Sequence, residues 1–109
     1  MILAVVALAA ALTATDPETD MTFTLSGRTL TAAIGADTPA KVKRKLSGKK
    51  VVFVCARFSN GKVATTHKTQ LWPAGALSMR VTLPKRLKHT GFCGVEKPGG
   101  EDISYAEFG

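Results

Sequence analysis

Within the segment Lys50-Val51-Val52-Phe53-Val54-Cys55-Ala56-Arg57, both alternating sets of residues are apolar from Val51 up to Arg57. β-Branched and aromatic side chains dominate it, and these favour an extended strand. Because both sets are apolar, we expect a central strand that is covered on both sides. Thr90-Gly91-Phe92-Cys93-Gly94-Val95 is a second predicted strand and carries the only other cysteine of the chain. We therefore expect a β-domain built around these two strands.

Further strands are predicted where apolar and polar residues alternate with a period of two. Asn60-Gly61 predicts a tight hairpin after the first strand, because this pair tolerates the positive φ angles that such a turn requires. The strand that follows, 63–71, is polar, which places it near a sheet edge. Short strands separated by turns are typical of a β-sandwich, and we predict an all-β sandwich of about seven strands. The other strand segments are 21–25, 29–34, 77–83 and 102–108.

One short helix is predicted over Pro39 to Leu46. Thr38 is a favourable N-cap, and proline is favourable at the first helical position because its missing N–H would have no partner there. Gly48 can adopt the left-handed conformation that ends a helix. The apolar positions stand four residues apart, which leaves the basic residues of this segment on the outer surface.

The first residues form an uncharged apolar run from Ile2 to Leu12. Its length fits the apolar region of a secretory signal peptide and falls short of the about 20 residues of a membrane-spanning helix. We expect a leader over 1–14, a polar spacer over 15–20 and a single sandwich domain over 21–109. Small residues allow cleavage after Ala11 or after Thr13. A retained anchor and an ordinary N-terminal core element are the open alternatives.

Cys55 and Cys93 are predicted to form a disulfide. An even count, placement in strands and an export leader all favour a bridge in a secreted or cell-envelope protein. The bridge would close a loop of 38 positions. On the chain-entropy model this removes about 4 kcal/mol of denatured-state entropy, a large share of the stability of a small domain.

The order of Cys55, Trp72 and Cys93 resembles the Cys, Trp, Cys order of an immunoglobulin domain. In that family two strands from facing sheets are bridged over a buried tryptophan. The resemblance implies an immunoglobulin-like sandwich in the architectural sense, without antibody or receptor ancestry. Trp72 has two interpretations: packing over the disulfide or the end of the core, which we favour, or an exposed platform for stacking ligands.

Charge is distributed unevenly along the chain. The net charge is +7, and residues 38–95 contain no aspartate or glutamate. A body with one sign of charge favours association with polyanions such as anionic glycans, wall polymers or nucleic acid, although the charge could serve solubility alone. The residues predicted to form one contiguous polyanion-binding surface are Lys41, Lys43, Arg44, Lys45, Lys85, Arg86 and Lys88.

No motif identifies a catalytic, metal or cofactor site. His67 and His89 lack the Cys, His and Met spacing of blue-copper proteins, so we expect neither a metal nor a cofactor. They could serve a small secreted hydrolase such as a nuclease only if they met in one cleft with a carboxylate. The sequence therefore favours a secreted or cell-envelope binding module without catalytic activity or a stable membrane span. Its partner is predicted to be either a polyanion or another envelope protein.

Overall fold

The computed structural model describes residues 11–108, which form eight strands and one helix. The alternating segments of the sequence become strands because their apolar residues bury one face. The strands are β1 (Leu12–Thr15), β2 (Thr22–Ser26), β3 (Thr29–Ala33), β4 (Lys50–Ser59), β5 (Lys62–Leu71), β6 (Ser78–Thr82), β7 (Phe92–Glu96) and β8 (Asp102–Glu107), and the helix is α1 (Ala40–Leu46).

The strands form two four-stranded antiparallel sheets, which we call sheet A and sheet B. Sheet A has the order β1-β2-β3-β6, and sheet B has the order β5-β4-β7-β8. The predicted all-β sandwich is confirmed, with one strand more than the seven expected. The polar strand β5 lies at a sheet edge as predicted. Asn60 and Gly61 form the hairpin turn between β4 and β5, with φ angles of 52° and 73°.

The core lies between the inner faces of the two sheets. Phe23 and Leu30 fill it from sheet A, and Phe53 and Val95 fill it from sheet B. Trp72 is fully buried, its ring stacks against that of Phe53 with centroids 6.2 Å apart, and its Nε1 donates to the carbonyl of Ala76. The packing interpretation of this tryptophan is therefore confirmed, and it offers no exposed platform.

Cys55 and Cys93 are disulfide-bonded, as predicted. The bridge differs from that of an immunoglobulin domain, because both residues belong to sheet B and face each other directly on β4 and β7. The expectation of a link between facing sheets is therefore wrong. The Cα atoms are 4.1 Å apart, just below the expected range of about 4.4 to 6.8 Å, because directly opposed residues of antiparallel strands approach closely. The bond indicates an oxidising, extracytoplasmic environment.

Helix α1 begins one residue later than predicted. Its N-cap is Pro39 and no side chain caps it, since Thr38 Oγ1 instead accepts a hydrogen bond from the backbone N–H of Gly35. Val42 and Leu46 are buried against the core. Gly48 has a φ of 73°, as expected of a residue that ends a helix, and its N–H donates to the carbonyl of Trp72.

The first described strand lies inside the predicted leader and spacer. β1 pairs with β2 from Leu12 opposite Leu25 to Thr15 opposite Thr22. Asp16 then anchors the turn between these strands to β8, where its Oδ2 accepts hydrogen bonds from Ser104 Oγ and from the N–H of Tyr105. The described part of the sandwich therefore already includes Leu12, nine residues before the predicted start at residue 21. Cleavage of a leader stays a prediction, and residues 1–10 lie outside the described part of the chain.

The sandwich has two ends of different composition. The end at which β4 begins carries α1, the β1–β2 turn and the β7–β8 turn, and we call it the helix end. The end at which β4 finishes carries the β2–β3 turn, the β4–β5 hairpin and the loop 83–91 between β6 and β7, and we call it the loop end.

Candidate functional site

The predicted basic residues fall into two groups at opposite ends of the sandwich. Lys41, Lys43, Arg44 and Lys45 lie on α1 at the helix end, whereas Lys85, Arg86 and Lys88 lie in the loop at the loop end. Lys50 at the start of β4 and Arg57, which contacts the loop, are seven positions apart, or roughly 23 Å of strand. The structure therefore does not bring the predicted basic residues together on one contiguous face.

The basic group on α1 has acidic neighbours. Lys45 Nζ is 3.9 Å from a carboxylate oxygen of Glu101, and Lys97 Nζ is 3.3 Å from the other oxygen of the same side chain. Both pairs are exposed and contribute little to stability. Seven of the eight acidic residues lie at this end, so the field of the helical lysines is partly cancelled. They are Asp16, Glu18, Asp20, Asp37, Glu96, Glu101 and Asp102.

The loop end gathers cationic side chains from three parts of the chain. Arg28, in the β2–β3 turn, reaches Pro84 with its Nη1 3.5 Å from the carbonyl oxygen. Arg57, near the end of β4, donates from Nη1 to the carbonyl oxygen of Lys88 at 3.2 Å. Both guanidinium groups therefore lie against the loop that carries the other three cations. We call this group the basic end, and its members are Arg28, Arg57, Lys85, Arg86 and Lys88.

The basic end lacks acidic partners within residues 11–108. None of its five side chains forms a salt bridge there. Glu107 is the acidic residue nearest along the strands, and it lies on the outer face of sheet B, opposite Phe92. Arg57 Nε is buried and has no hydrogen-bond partner among the described residues. A half-buried guanidinium with an unused donor and no carboxylate nearby is an arrangement that favours an anion.

A shallow open cavity of about 630 Å³ lies at the loop end. Its wall combines apolar side chains of Leu12, Leu25 and Leu87 with Arg86 and Lys88. His89 also lines it and has a φ of 55°, an uncommon conformation for a residue other than glycine. The left-handed backbone at His89 therefore forms part of this cavity wall.

A second open groove, of about 610 Å³, lies on the outer face of sheet B. Its floor is formed by Val52 and Val54, and His67, Glu96 and Tyr105 line it. Tyr105 Oη donates to Glu96 Oε2 at 2.6 Å. Burial and this hydrogen bond raise the pKa of Tyr105 above its ordinary range, so its hydroxyl stays protonated at neutral pH.

The two histidines do not meet. His67 lies on β5 on the outer face of sheet B, and His89 lies in the loop between β6 and β7 at the loop end. A two-histidine hydrolytic site is therefore not formed. The part of the chain described by the structure also contains no group of three or more His, Cys, Asp or Glu side chains that could hold a metal ion.

Two members of the basic end were not predicted from the sequence. Arg28 stands next to a turn glycine and is isolated from the other basic residues along the chain. Arg57 carried a usable signal, because it is the one charged residue inside the apolar segment 51–58. A charge at that position suggests a specific contact at the end of the strand, but not its partner.

Comparison of the chain with protein-family models, curated proteins and solved structures found no match. Within residues 11–108 no helix is long and apolar enough to span a membrane.

Proposed function

We propose that this protein is an exported binding module that holds an anionic polymer of the cell envelope at its basic end. The observation that carries the proposal is the gathering of five cations from three parts of the chain around one loop, without an acidic partner. Binding requires no chemistry of the protein beyond these charges and their fixed positions.

A polymer fits this surface better than a small anion does. Arg86 and Lys88 line an open cavity and Arg28 follows Gly27 at its wall; all three side chains are exposed, so they can contact successive charges of a chain. Multiple contacts release counterions from the polymer, and this release is the main favourable contribution to such binding. The concentration of acidic residues at the opposite end orients the protein, because an approaching polyanion is repelled there and attracted to the basic end.

The two basic groups provide a matched pair of variants. The loop variant carries Lys85→Gln, Arg86→Gln and Lys88→Gln, and the helix variant carries Lys43→Gln, Arg44→Gln and Lys45→Gln. Each variant removes three positive charges from exposed or half-exposed positions. We expect the loop variant to elute from immobilised heparin at clearly lower salt than the wild type, and the helix variant to elute near the wild type.

The salt dependence of affinity supplies a second measurement. Plots of the logarithm of the heparin association constant against the logarithm of salt concentration should be shallower for the loop variant by about two to three. Equal losses in the two variants would show that only net charge matters and would refute a site at the basic end. Absence of wild-type retention at low salt would refute polyanion binding. Markedly tighter binding to single-stranded DNA of matched charge would replace the envelope polymer with a nucleic acid.

A further inference from the structure

We propose that a second copy of this chain docks on the outer face of sheet B, giving a symmetric dimer. The surface concerned, which we call the sheet B face, comprises Val52, Val54, Ala56, Phe58, Val63, Thr65, His67, Thr69, Phe92, Gly94, Glu96, Asp102, Tyr105 and Glu107. This surface is separate from the basic end, and the inference does not depend on the proposed function.

Strand β4 carries apolar side chains on both of its faces. Phe53 and Cys55 point into the sandwich and are fully covered by it. Val52 and Val54 point the opposite way, onto the open groove, and are only half-buried. A strand with two apolar faces is typical of a sheet that is covered on both sides. Residues 11–108, however, cover only the inner face of sheet B. The prediction of two covered faces therefore fails for a single copy of this part of the chain.

Aromatic and aliphatic side chains extend this apolar surface. Phe58 and Val63 face each other near the tip of the β4–β5 hairpin and are 66% and 58% exposed. The ring of Phe58 stacks with Phe92 at 5.4 Å, and the ring of Phe92 meets that of Tyr105 edge-on at 5.6 Å. Rigid, exposed aromatic groups of this kind are the usual anchors of protein interfaces.

The distribution of charge also favours this surface as the contact between two copies. The chain has 15 lysines and arginines, yet none of the 14 positions of the sheet B face is a lysine or an arginine. By alternation Lys50, opposite Leu71, lies on the same side of β4, at the helix-end margin of this surface. Two copies with a net charge of +7 each would repel one another through most surfaces. The sheet B face is the large surface through which they can meet without burying positive charges against each other.

The polar groups of the face also suit a two-fold arrangement. His67 lies on β5 at one edge, whereas Glu96 on β7 and Asp102 and Glu107 on β8 lie in the other half. A two-fold axis parallel to the strands sets β5 of each copy against β8 of the other. Each histidine then faces the acidic half of the opposite copy, so the surface is complementary to itself.

The area of the sheet B face approaches that of a specific dimer interface. Two strands of ten residues and two of about five cover about 500 Å² in projection, taking ordinary strand spacings. Protruding side chains such as Phe58 raise the accessible area above this value. Specific interfaces bury about 800 Å² on each partner, so the face is close to the required size.

The test is the mass of the protein in solution, measured by sedimentation equilibrium over about 1 µM to 1 mM. We expect the mass to approach twice 11.5 kDa with increasing concentration. Phe58→Glu and Val63→Glu should each raise the dimer dissociation constant by about 100-fold or more, because each places an unpaired charge in the interface. Leu77→Glu is the matched control, since Leu77 is 71% exposed and lies outside the face.

Each outcome decides the proposal. Loss of the dimer in the Phe58 and Val63 variants, with the Leu77 variant unchanged, supports it. The proposal is overturned if the protein stays monomeric at 1 mM. It is also overturned if the dimer dissociation constant is unchanged in both the Phe58 and the Val63 variants. A dimer that forms only after residues 1–10 are removed would show that this apolar segment occupies the face in the full chain, and would also overturn it. Circular dichroism of each variant confirms that a lost dimer is not a lost fold.

Discussion

Asp16 provides the sharpest test of how this fold is held together. Its carboxylate is 7% exposed and accepts three hydrogen bonds, from Ser104 Oγ at 2.7 Å, from the N–H of Tyr105 at 3.1 Å and from the N–H of Glu18 at 2.9 Å. The Ser104 hydroxyl in turn accepts a hydrogen bond from Thr19 at 2.7 Å, because its own proton is donated to Asp16. This network joins the β1–β2 turn to the last strand of sheet B.

Replacing Asp16 with alanine should destabilise the protein by about 4 kcal/mol. The substitution removes the acceptor of three charge-assisted hydrogen bonds and leaves the buried hydroxyl of Ser104 and the N–H of Tyr105 without their partner. An unsatisfied buried donor costs about 1 to 3 kcal/mol, and two such donors account for most of the expected loss. The loss is a large fraction of the about 5 to 15 kcal/mol that stabilises a small domain.

The effect should depend on pH with a defined sign. Burial alone would raise the pKa of Asp16, but the hydrogen bonds from Ser104, Glu18 and Tyr105 outweigh it and hold the pKa below its ordinary value. The ionised carboxylate therefore contributes stability that is fully present above the unfolded pKa of about 3.9. That contribution is lost as the pH falls further, through the lower pKa of the folded state.

Urea denaturation followed by the fluorescence of Trp72, the single and fully buried tryptophan, measures the free energy of unfolding. The wild type and Asp16→Ala should be compared at pH 7 and at intervals from pH 5 to pH 2. Glu18→Gln is the control, because it removes one exposed negative charge from the same turn. A difference below about 1 kcal/mol at pH 7, or one that does not shrink at low pH, would refute the reasoning.

Two further predictions concern covalent structure. Replacing Cys55 and Cys93 together with alanine should lower the free energy of unfolding by about 4 kcal/mol, because the bridge closes 38 positions; an unchanged urea midpoint would contradict this. A chain that begins at Leu12 should unfold at the temperature of the full chain, whereas one that begins at Met21 should unfold at a much lower temperature, since it lacks β1 and Asp16. Secreted protein should accordingly start at Leu12, after the small residues 9–11, and a start at residue 14 would contradict the role assigned to β1.

Much of the fold could be predicted because its signals are local. Alternation of apolar and polar residues along 21–25 and 77–83 indicates strands with one buried face. Asn60-Gly61 indicates a tight turn, and neither signal depends on residues far away in the sequence. The strand β1 was missed because Leu12-Thr13-Ala14-Thr15 continues the apolar run of the predicted leader. Its strand character comes from pairing with β2, which supplies hydrogen-bond partners that the short segment does not specify by itself.

The candidate site was predictable only in part, for a related reason. The sequence shows Lys85, Arg86 and Lys88 as one local cluster of basic residues and the basic residues of α1 as another. Nothing in the sequence distinguishes the two clusters. Distance in space then separates the two groups, since they lie at opposite ends of β4. Arg28 and Arg57 join the basic end through contacts with a loop that is 56 and 31 residues away along the chain.

The sequence by itself determined the class of structure, the two cysteines that pair and the segment that forms the helix, because these follow from period, residue type and turn chemistry within a few residues. The tertiary structure decided which strands share a sheet, and hence that the disulfide lies within sheet B and that one face of β4 is left open. It also decided that Asp16 meets Ser104 across 88 positions. Such pairings depend on how the two sheets align their apolar faces, and that alignment is a property of the whole chain.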